Sequence, residues 1–390
     1  MNIEQILFGL LRHALGVAPL NENQLKQIKE ELSEEKAKRL FALAKKHDLA
    51  YSVCKALFDC NLINPEHKEY ARFFKEFNLC LFRHENQKHQ YERIKNFLIE
   101  QNIPFIPLKG VVIREYYPQQ AQRSSCDIDV LVKEEQIESI VDAICENLGY
   151  TCDKKRGFHD YSLMAPGDVS LELHFSLKEN RKNIDGLLEK VWEYAKPVGK
   201  TSEHYLTSEF LLFHIVAHAS YHFLSGGCGV KPIMDIYILK ERLDIDSDVF
   251  NSFLEQCSLT VFYNSLLKLA EVWLNGKEHD QLTQRMSDYI LSGGVYGTRE
   301  NSIAIHYAKN KTKRKYILSR IFLPYELLCT RYKVLRKHKW LYPFCQVARW
   351  FALLFNKKKL KNAKKEVQVS AQITEKKRQD TEALLKSIGL

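Results

Sequence analysis

Residues 123–132 constrain this chain most, because they place two aspartates at the start of an apolar β-strand. Asp127 and Asp129 are two residues apart, and the side chains of residues i and i+2 in a strand point to the same face. Two carboxylates on one face, at the exposed end of a strand, form a site for a divalent cation. Magnesium is usually held by one or two carboxylates together with phosphate oxygens of a substrate. The pattern therefore indicates phosphate chemistry.

Bulk composition narrows the class of protein. The 390 residues are enough for two or three domains, and a hydrophobic fraction of 45% is sufficient for a large core. No segment is long and apolar enough to span a bilayer, and the N-terminus has an early acid instead of the basic stretch of a signal peptide. Ten cysteines without a CxxC pair disfavour a zinc site or a redox pair, and Cys54, Cys80 and Cys145 fit helical patterns as buried free thiols. We therefore expect a cytoplasmic protein.

The net charge of +10 is concentrated near the C-terminus. Residues 309–365 contain 18 Lys and Arg but a single acid, Glu326, so this segment carries +17 and the remainder −7. The charge therefore indicates a local basic surface instead of a nucleic-acid-binding protein as a whole.

This basic segment is compatible with three functions. Its lysines, with Tyr332, Trp340 and Trp350, could bind single-stranded nucleic acid by charge and stacking. Residues 340–355, followed by the lysines at 357–359, could instead lie on an anionic membrane surface. The third interpretation, a helical subdomain with a solvated basic face, is the simplest. We rank nucleic acid below the membrane as a partner.

The spacing of apolar residues changes from helical to strand-like and back along the chain. Helices are predicted at 4–11, 25–47, 51–58 and 67–101, then at 208–223, 233–242, 250–273, 316–328, 347–355 and 381–388. Between these helical regions, a small α/β unit with about four strands is predicted. It comprises strands at 103–108 and 127–132, helices at 111–117 and 134–147 (the second ended by Gly149), and a hairpin of 158–164 with 169–175.

A third carboxylate is predicted on the second strand of that hairpin. Phosphoryl transfer with two metal ions needs at least two carboxylates and often a third. Glu172 and His174 share one face of their strand, whereas Leu171 and Leu173 share the other. Glu172 could be a metal ligand or a general base, and the alternative is that it lies on the solvent face of a simple hairpin.

Two further features could contact phosphate groups. Gly110 lies at a strand-to-helix turn, where backbone N–H groups can bind phosphate, and Lys109 would add a charge. Arg123 lies four residues before Asp127 and could reach the same phosphates. Each has an ordinary alternative, since most such turns are only turns and most loop arginines lie on the surface.

The whole set of motifs resembles the uncharacterised nucleotidyltransferase family of the polymerase-β-like nucleotidyltransferase superfamily. The resemblance covers most of residues 80–350. It is carried by the segments at 108–110, 117–118, 127–132, 171–174, 211–218, 235–238, 322–324 and 340–343, and by Arg123, His222, Tyr332 and Arg349. It implies that Asp127 and Asp129 bind Mg²⁺, with two ions expected, and that Glu172 is the third carboxylate. Two departures stand out: the usual Gly-Ser turn is Lys109-Gly110, 17 residues before Asp127, and the third acid is Glu instead of Asp.

The apolar spacing and the resemblance together predict a fold, and the resemblance implies a function. The expected fold class is α+β and mostly helical, with a small mixed sheet as the nucleotidyltransferase core (101–200), an N-terminal helical region (1–100), a helical substrate-binding region (201–300) and a basic helical C-terminal region (301–390). The expected activity is Mg²⁺-dependent transfer of a nucleoside monophosphate from an NTP, expected to be ATP, to an unknown acceptor with release of pyrophosphate. The alternatives are a catalytically inactive nucleotide-binding or interaction module and a scaffold with purely structural acids.

Three histidines add a weaker signal. His214, His218 and His222 recur every four residues and share one helix face, which would suit a metal, but neither an HExxH pattern nor a paired acid accompanies them. We expect them to line the cleft, with His218 and His174 as substrate contacts. Asp235 is expected to support that helix through a hydrogen bond. The glycines at 226, 227 and 229 could form a mobile loop or a simple connection between helices.

Overall fold

The structure, a computed structural model, describes residues 1–310 and 313–390. Lys311 and Thr312, part of the predicted basic region, lie outside the described residues. Helices dominate and surround a small sheet, which confirms the prediction of a mostly helical α+β fold.

The N-terminal region consists of helices, as predicted. One predicted boundary is wrong, because residues 25–47 do not form a single helix. The chain breaks at Leu32, and the Ser33 side chain then caps the next helix by accepting a hydrogen bond from the Lys36 N–H. A serine N-cap followed by two acids is a strong start signal for a new helix. The helices are α1 (Ile3–Ala14), α2 (Glu22–Glu31), α3 (Glu34–Lys46), α4 (Ala50–Asp59) and α5 (Tyr70–Glu100).

The central sheet has five strands within the described residues, in the order β1-β2-β5-β4-β3. β2 and β5 pair in parallel and the other neighbours are antiparallel, so the sheet is mixed as expected. The prediction of about four strands missed β3, a polar edge strand without alternating apolar residues. The elements are β1 (Phe105–Leu108), α6 (Gly110–Ile113), β2 (Asp127–Val132), α7 (Ile137–Leu148), β3 (Thr151–Arg156), β4 (Asp160–Ala165) and β5 (Val169–His174).

Helices return after the sheet, with a two-stranded ladder between the first two. The predicted single helix at 250–273 is wrong, because Ser258 has a left-handed backbone (φ 55°) that ends one helix before the next begins. The elements are α8 (Lys182–Leu188), β6 (Ala195–Pro197), β7 (His204–Leu206), α9 (Ser208–Ser225), α10 (Lys231–Arg242), α11 (Ser247–Gln256), α12 (Thr260–Asn275) and α13 (Gln281–Gly293).

The C-terminal region is also helical. The predicted helix at 316–328 is divided in two, because Pro324 cannot continue a helix and stands directly before the second piece. The helices are α14 (Arg299–Asn310), α15 (Lys313–Ile321), α16 (Tyr325–Arg331), α17 (Tyr342–Leu354), α18 (Lys357–Gln372) and α19 (Glu375–Ser387).

The glycine-rich connection between α9 and α10 is a point of close packing between two loops. Gly226 and Gly227 both have left-handed φ angles, 132° and 138°. A Cβ atom on Gly227 would lie 2.8 Å from the Cα of Gly297, and one on Gly226 would lie 2.8 Å from the Thr298 carbonyl oxygen. The glycines are therefore required by this contact, which favours the interpretation as a tight connection.

The two faces of the sheet pack into different apolar clusters. Ile128, Val130 and Val132 of β2 pack with α7 and the end of α5, whereas Leu131 joins the large cluster made by the surrounding helices. That large cluster contains residues from α1 to α6, from α8 to α14 and from α19. Because it crosses the expected boundaries near residues 100 and 200, the proposed four-part division stays a prediction.

None of the described helices has the length and apolarity needed to cross a bilayer. The described residues contain no disulfide bond; Cys54 is buried, whereas Cys80 and Cys145 are only partly buried.

Two buried histidines make the fold sensitive to acid. His47 at the end of α3 faces the Leu291 carbonyl oxygen at 3.4 Å, and its Nδ1 lacks a hydrogen-bond partner among the described residues. Burial lowers the pKa of His47 to about 4 and that of His214 to about 3. An unfolded histidine has a pKa of about 6.5. As the pH falls below 6.5, the unfolded chain therefore binds protons that the folded protein does not, and stability that is fully present above pH 6.5 is lost.

We expect the His47 contribution to be lost between pH 6.5 and about 4, for a total of about 3 kcal/mol in the free energy of unfolding. Urea unfolding of wild type and of His47→Gln at pH 7, 5.5 and 4.5 measures it. The variant should show a shallower decline, whereas His89→Gln, at an exposed position on α5, should behave as wild type. Parallel declines in wild type and His47→Gln would contradict the prediction.

Candidate active site

The parallel pairing of β2 with β5 brings the predicted acids together. In this register Asp127 lies opposite Ser170, Asp129 opposite Glu172, and Leu131 opposite His174. Partners in adjacent strands point to the same face, so both aspartates, Glu172 and His174 share one face of the sheet. The apolar residues between them in β2 turn to the opposite face, where they are buried.

Asp129 is the centre of the site. Its carboxylate is 2% exposed and accepts two hydrogen bonds, from Lys109 Nζ at 2.9 Å and from His174 Nε2 at 2.8 Å. The same His174 nitrogen lies 3.5 Å from Glu172 Oε2. Asp129, Glu172 and His174 each offer a ligand atom, and these atoms all lie within 4.8 Å of one another. Two carboxylates and an imidazole at this spacing could hold a divalent ion.

Opposite charges shift the pKa values of Asp129 and of the groups around it. Burial alone would raise the pKa of Asp129, but Lys109 and the hydrogen bond from His174 outweigh burial and hold the pKa well below its ordinary value. Burial alone would lower the pKa of Lys109, yet attraction to Asp129, then to Glu172 and Asp127, raises it. The pKa of His174 is likewise raised against burial, by its hydrogen bonds to Asp129 and Glu172. The carboxylate and the ammonium group are therefore both charged at neutral pH.

Asp127 lies beside this cluster at the start of β2. It is not one of the three converging ligands among the described residues, and one of its carboxylate oxygens accepts a hydrogen bond of 2.8 Å from Ser125 Oγ. Burial raises the pKa of Asp127, and the negative charges of Asp129 and Glu172 raise it further. Mutual repulsion of this kind favours a cation between the acids. The sequence prediction of Asp127, Asp129 and Glu172 as metal ligands thus differs from the observed group by one member, His174.

The turn after β1 presents Lys109 to the site. Lys109 has a left-handed φ of 44° with ψ −117°, an uncommon backbone for a residue with a side chain. Gly110 follows and is buried; a Cβ atom there would lie 2.8 Å from Ser125 Oγ. Glycine at position 110 therefore lets the loop before Asp127 pack directly against this turn.

The structure places Arg123 away from the acidic face. It is buried, its Nε donates to both carboxylate oxygens of Asp235 at 2.7 and 2.9 Å, and one terminal nitrogen donates to the Ser124 carbonyl. Tyr117 donates its hydroxyl to the same Asp235 at 2.6 Å. Asp235 thus joins α10 to the loop that leads into β2, and the expected support of the histidine helix by Asp235 is replaced by this network.

Two residues that the sequence reasoning missed hold the same loop from the other side. Gln87 on α5 donates to the Ser125 carbonyl at 2.9 Å and accepts from Arg114 at 3.2 Å, and Arg114 in turn donates to the Gly110 carbonyl at 2.8 Å. Two of these contacts join segments distant in sequence, and the third spans the short helix α6. Periodicity and spacing carry no signal for such contacts.

Two histidines of α9, His218 and His222, form a chain with Glu179, which the sequence reasoning also missed. His218 Nδ1 lies 2.6 Å from Glu179 Oε1, and His218 Nε2 lies 2.9 Å from His222 Nε2. Burial is the main reason that the pKa of His218 is well below its ordinary value, so the ring is neutral. A neutral ring that donates to Glu179 must accept at its other nitrogen, so His222 is the donor between the two. Both His218 nitrogens are thus engaged within the protein.

A cavity of about 340 Å³ opens beside the loop before Asp127. Its size falls within the range of small-molecule sites. Residues from the α3–α4 turn, from α5, from this loop and from the β4–β5 turn line it, including Asp48, Arg83, His84, Ser125, Cys126 and Asp168.

Fold and site together define a class. A small mixed sheet that places carboxylates of adjacent strands on one face, with a lysine beside them, fits a protein that acts on a phosphate-bearing substrate through a divalent ion. The family model of uncharacterised nucleotidyltransferases matches residues 33–275, more than half of the chain, and the protein belongs to this family. Comparison with curated proteins gave no match. Family membership supports nucleotidyl transfer as the general activity, and the matched residues include every candidate site residue named above.

Proposed function

We propose that the protein is a metal-dependent nucleotidyltransferase of the polymerase-β-like superfamily. In the proposed reaction, an acceptor hydroxyl or phosphate oxygen attacks the α-phosphorus of an NTP. The bond between the α-phosphorus and its bridging oxygen to the β-phosphate breaks, pyrophosphate leaves, and a hydroxyl acceptor gives its proton to a base. The observation that carries the proposal is the convergence of Asp129, Glu172 and His174 beside Asp127, on adjacent parallel strands.

The residues fit divalent metal ions. Asp129, Glu172 and His174 already converge, and Asp127 lies next to them with a pKa that neighbouring acids raise. Carboxylate oxygens suit Mg²⁺, which we propose as the cofactor with two ions, and the imidazole makes Mn²⁺ an alternative. When bound, such ions would neutralise charge on the triphosphate.

The remaining residues have roles that their contacts support. Lys109 places a charged ammonium at Asp129, where a triphosphate would meet the acids, and Gly110 allows the turn that presents it. Glu172, the more exposed of the two carboxylates that converge on His174, is the proposed base for the acceptor proton. We propose positioning roles for Arg123, through Asp235, and for His218, through Glu179 and His222, because the polar atoms of both are already engaged.

The proposed reaction has two substrates, a nucleotide donor and an acceptor. An NTP, with ATP as the first choice, is one partner, and the cavity beside Ser125 provides room for one of the two substrates. A cytoplasmic location agrees with ATP as the donor.

Transfer of label tests the proposal. We expect Mg²⁺ or Mn²⁺ together with α-labelled NTPs to label an acceptor from a panel of small molecules, sugar phosphates, proteins and RNA, with equal release of pyrophosphate. EDTA should abolish both signals. Asp244→Asn, at an exposed loop carboxylate, is the matched control and should keep the wild-type rate.

One observation favours a second function, an inactive nucleotide-binding module. The charge of Asp129 is already matched inside the protein by Lys109 and His174. For such a module we expect Mg²⁺-dependent NTP binding without label transfer to any acceptor. If metal-dependent NTP binding is absent as well, both functions are wrong and the acids are structural.

A further inference from the structure

Exposed apolar side chains are concentrated between residues 318 and 355. Ten of the nineteen large hydrophobic residues that are exposed in the described part of the chain lie in this stretch, which is about a tenth of the sequence. Scattered apolar residues on a surface are ordinary, whereas a concentration of this kind marks an interaction site.

The outward face of α17 carries the densest part of this surface. Phe344, Val347 and Phe351 lie on the helix, and Phe355 follows it directly. At about 100° per residue, these four positions fall within an arc of about 80°. Their exposed fractions are 64%, 43%, 57% and 86%, and Trp340, 68% exposed, stands against Phe344 with ring centroids 6.2 Å apart. We name these five residues the aromatic stripe.

The opposite side of α17 is anchored, so the stripe is fixed in its outward direction. Cys345, Gln346 and Arg349 are buried. Gln346 donates to the Leu323 carbonyl at 2.6 Å, and the Arg349 guanidinium donates to the Ile321 carbonyl. Turning the stripe inward would break these hydrogen bonds.

Positive charge is concentrated in the same segment of the chain as the aromatic stripe. Residues 309–365 carry 18 Lys and Arg against one acid, and the rest of the chain is net negative. Lys361 and Lys365 of α18 are exposed; the side chains of the lysines at 357–359 lie outside the described residues. An anionic surface would therefore attract this part of the molecule and repel the rest, which would orient the protein with the aromatic stripe toward that surface.

We propose that the aromatic stripe docks on an anionic lipid bilayer. A helix with a stripe of Phe and Trp and adjacent lysines binds in the plane of the membrane interface, with the rings among the acyl chains and the lysines at the headgroups. The contact is peripheral, since none of the described helices could cross the bilayer. A convex apolar helix face fits a bilayer better than a single-stranded nucleic acid, whose bases stack on rings arranged along a groove.

Vesicle cosedimentation of the full chain tests the proposal. We expect the protein to sediment with vesicles of phosphatidylcholine mixed with phosphatidylserine, but not with phosphatidylcholine alone, and binding should fall at least about tenfold at high salt. Phe344→Ser/Phe351→Ser should lower the partition coefficient at least about tenfold, and Lys361→Glu/Lys365→Glu by a similar factor.

Matched controls separate docking from loss of folding. Phe74→Ser/Phe82→Ser removes two phenylalanines of α5 with exposed fractions of 49% and 66%, and Lys26→Glu/Lys29→Glu reverses two exposed lysines of α2. Both should bind vesicles as wild type does, and all variants should keep the wild-type circular dichroism spectrum. The proposal would be overturned if the protein did not bind anionic vesicles or bound neutral ones equally well. It would also be overturned if Phe344→Ser/Phe351→Ser bound as wild type does, or if single-stranded RNA displaced the protein from the vesicles.

Discussion

Replacing Asp129 by asparagine is expected to lower the rate of nucleotidyl transfer by about a thousandfold or more. The carboxylate is the only atom group that contacts both Lys109 and His174 within the site as described, and asparagine removes its charge while keeping its size. Loss of one such electrostatic contact to a charged transition state costs about a hundred- to a thousandfold, and loss of a metal ligand adds to this. The measurement is single-turnover label transfer from an α-labelled NTP.

A second variant keeps this test independent of folding. Asn at position 129 leaves the Lys109 ammonium without its nearest countercharge, which destabilises the fold as well. Asp127 is less buried and its neighbour Ser125 can also hydrogen-bond to an amide, so Asp127→Asn should remain folded and still lose at least about a hundredfold in rate. Wild-type transfer by a folded Asp127→Asn or Asp129→Asn would refute the catalytic assignment.

The two roles proposed for Glu172, base and metal ligand, predict different behaviour of Glu172→Gln. Glu172→Gln should lower the rate less at high pH than at neutral pH if Glu172 accepts the acceptor proton, because free hydroxide then replaces the base. A metal ligand would show a loss that higher concentrations of Mn²⁺ reduce. The pH and Mn²⁺ profiles of the same variant therefore distinguish the two roles proposed for Glu172.

The strand faces on which the site residues lie could be predicted from the sequence, whereas the contacts between distant segments could not. Alternation along β2 and β5 placed Asp127, Asp129 and Glu172 on strand faces, and the structure aligns those faces through a parallel register that no single strand specifies. His174 was predicted on the same strand face as Glu172, yet its contact with Asp129 depends on that register. Glu179, by contrast, lies in a loop after β5, where position along the chain says nothing about the approach of α9.

The same distinction holds for the fold. Long helices with regular apolar spacing, such as α5 and α9, were predicted close to their observed ends. Helix breaks at Ser33, Ser258 and Pro324 and the polar strand β3 were missed. At each break, hydrogen bonds of one capping residue or the conformation of a single backbone position override a continuous apolar pattern.

Breaking the buried Arg123–Asp235 pair is expected to give the largest loss of stability from a single substitution in the site region. Arg123→Ala and Asp235→Ala should each lower the free energy of unfolding by about 3–5 kcal/mol, because each leaves the opposite charge buried without a partner. The Asp235 side chain is 2% exposed and that of Arg123 is 9% exposed, so water cannot replace the lost partner. Urea unfolding followed by circular dichroism measures the change.

Lys240→Met is the matched control on the same helix, α10. Lys240 pairs with Glu241, and both side chains are exposed, at 44% and 49%, so the loss should be below about 0.5 kcal/mol. Tyr117→Phe removes one hydrogen bond to Asp235 without removing a charge and should cost about 1 kcal/mol.

The double variant Arg123→Met/Asp235→Leu separates loss of the pair from loss of packing. Removing both charges leaves neither one buried alone, so the double variant should be destabilised by less than the sum of the single variants Arg123→Met and Asp235→Leu, by at least about 1.5 kcal/mol. Arg123 contacts the Ser124 carbonyl and so holds the loop in which Ser125 hydrogen-bonds to Asp127. The transfer activity of the double variant therefore measures how much the position of this loop contributes to the rate. A rate that falls while NTP binding persists would identify Arg123 as a positioning residue, whereas additive single losses of stability would show that the two charges do not compensate each other.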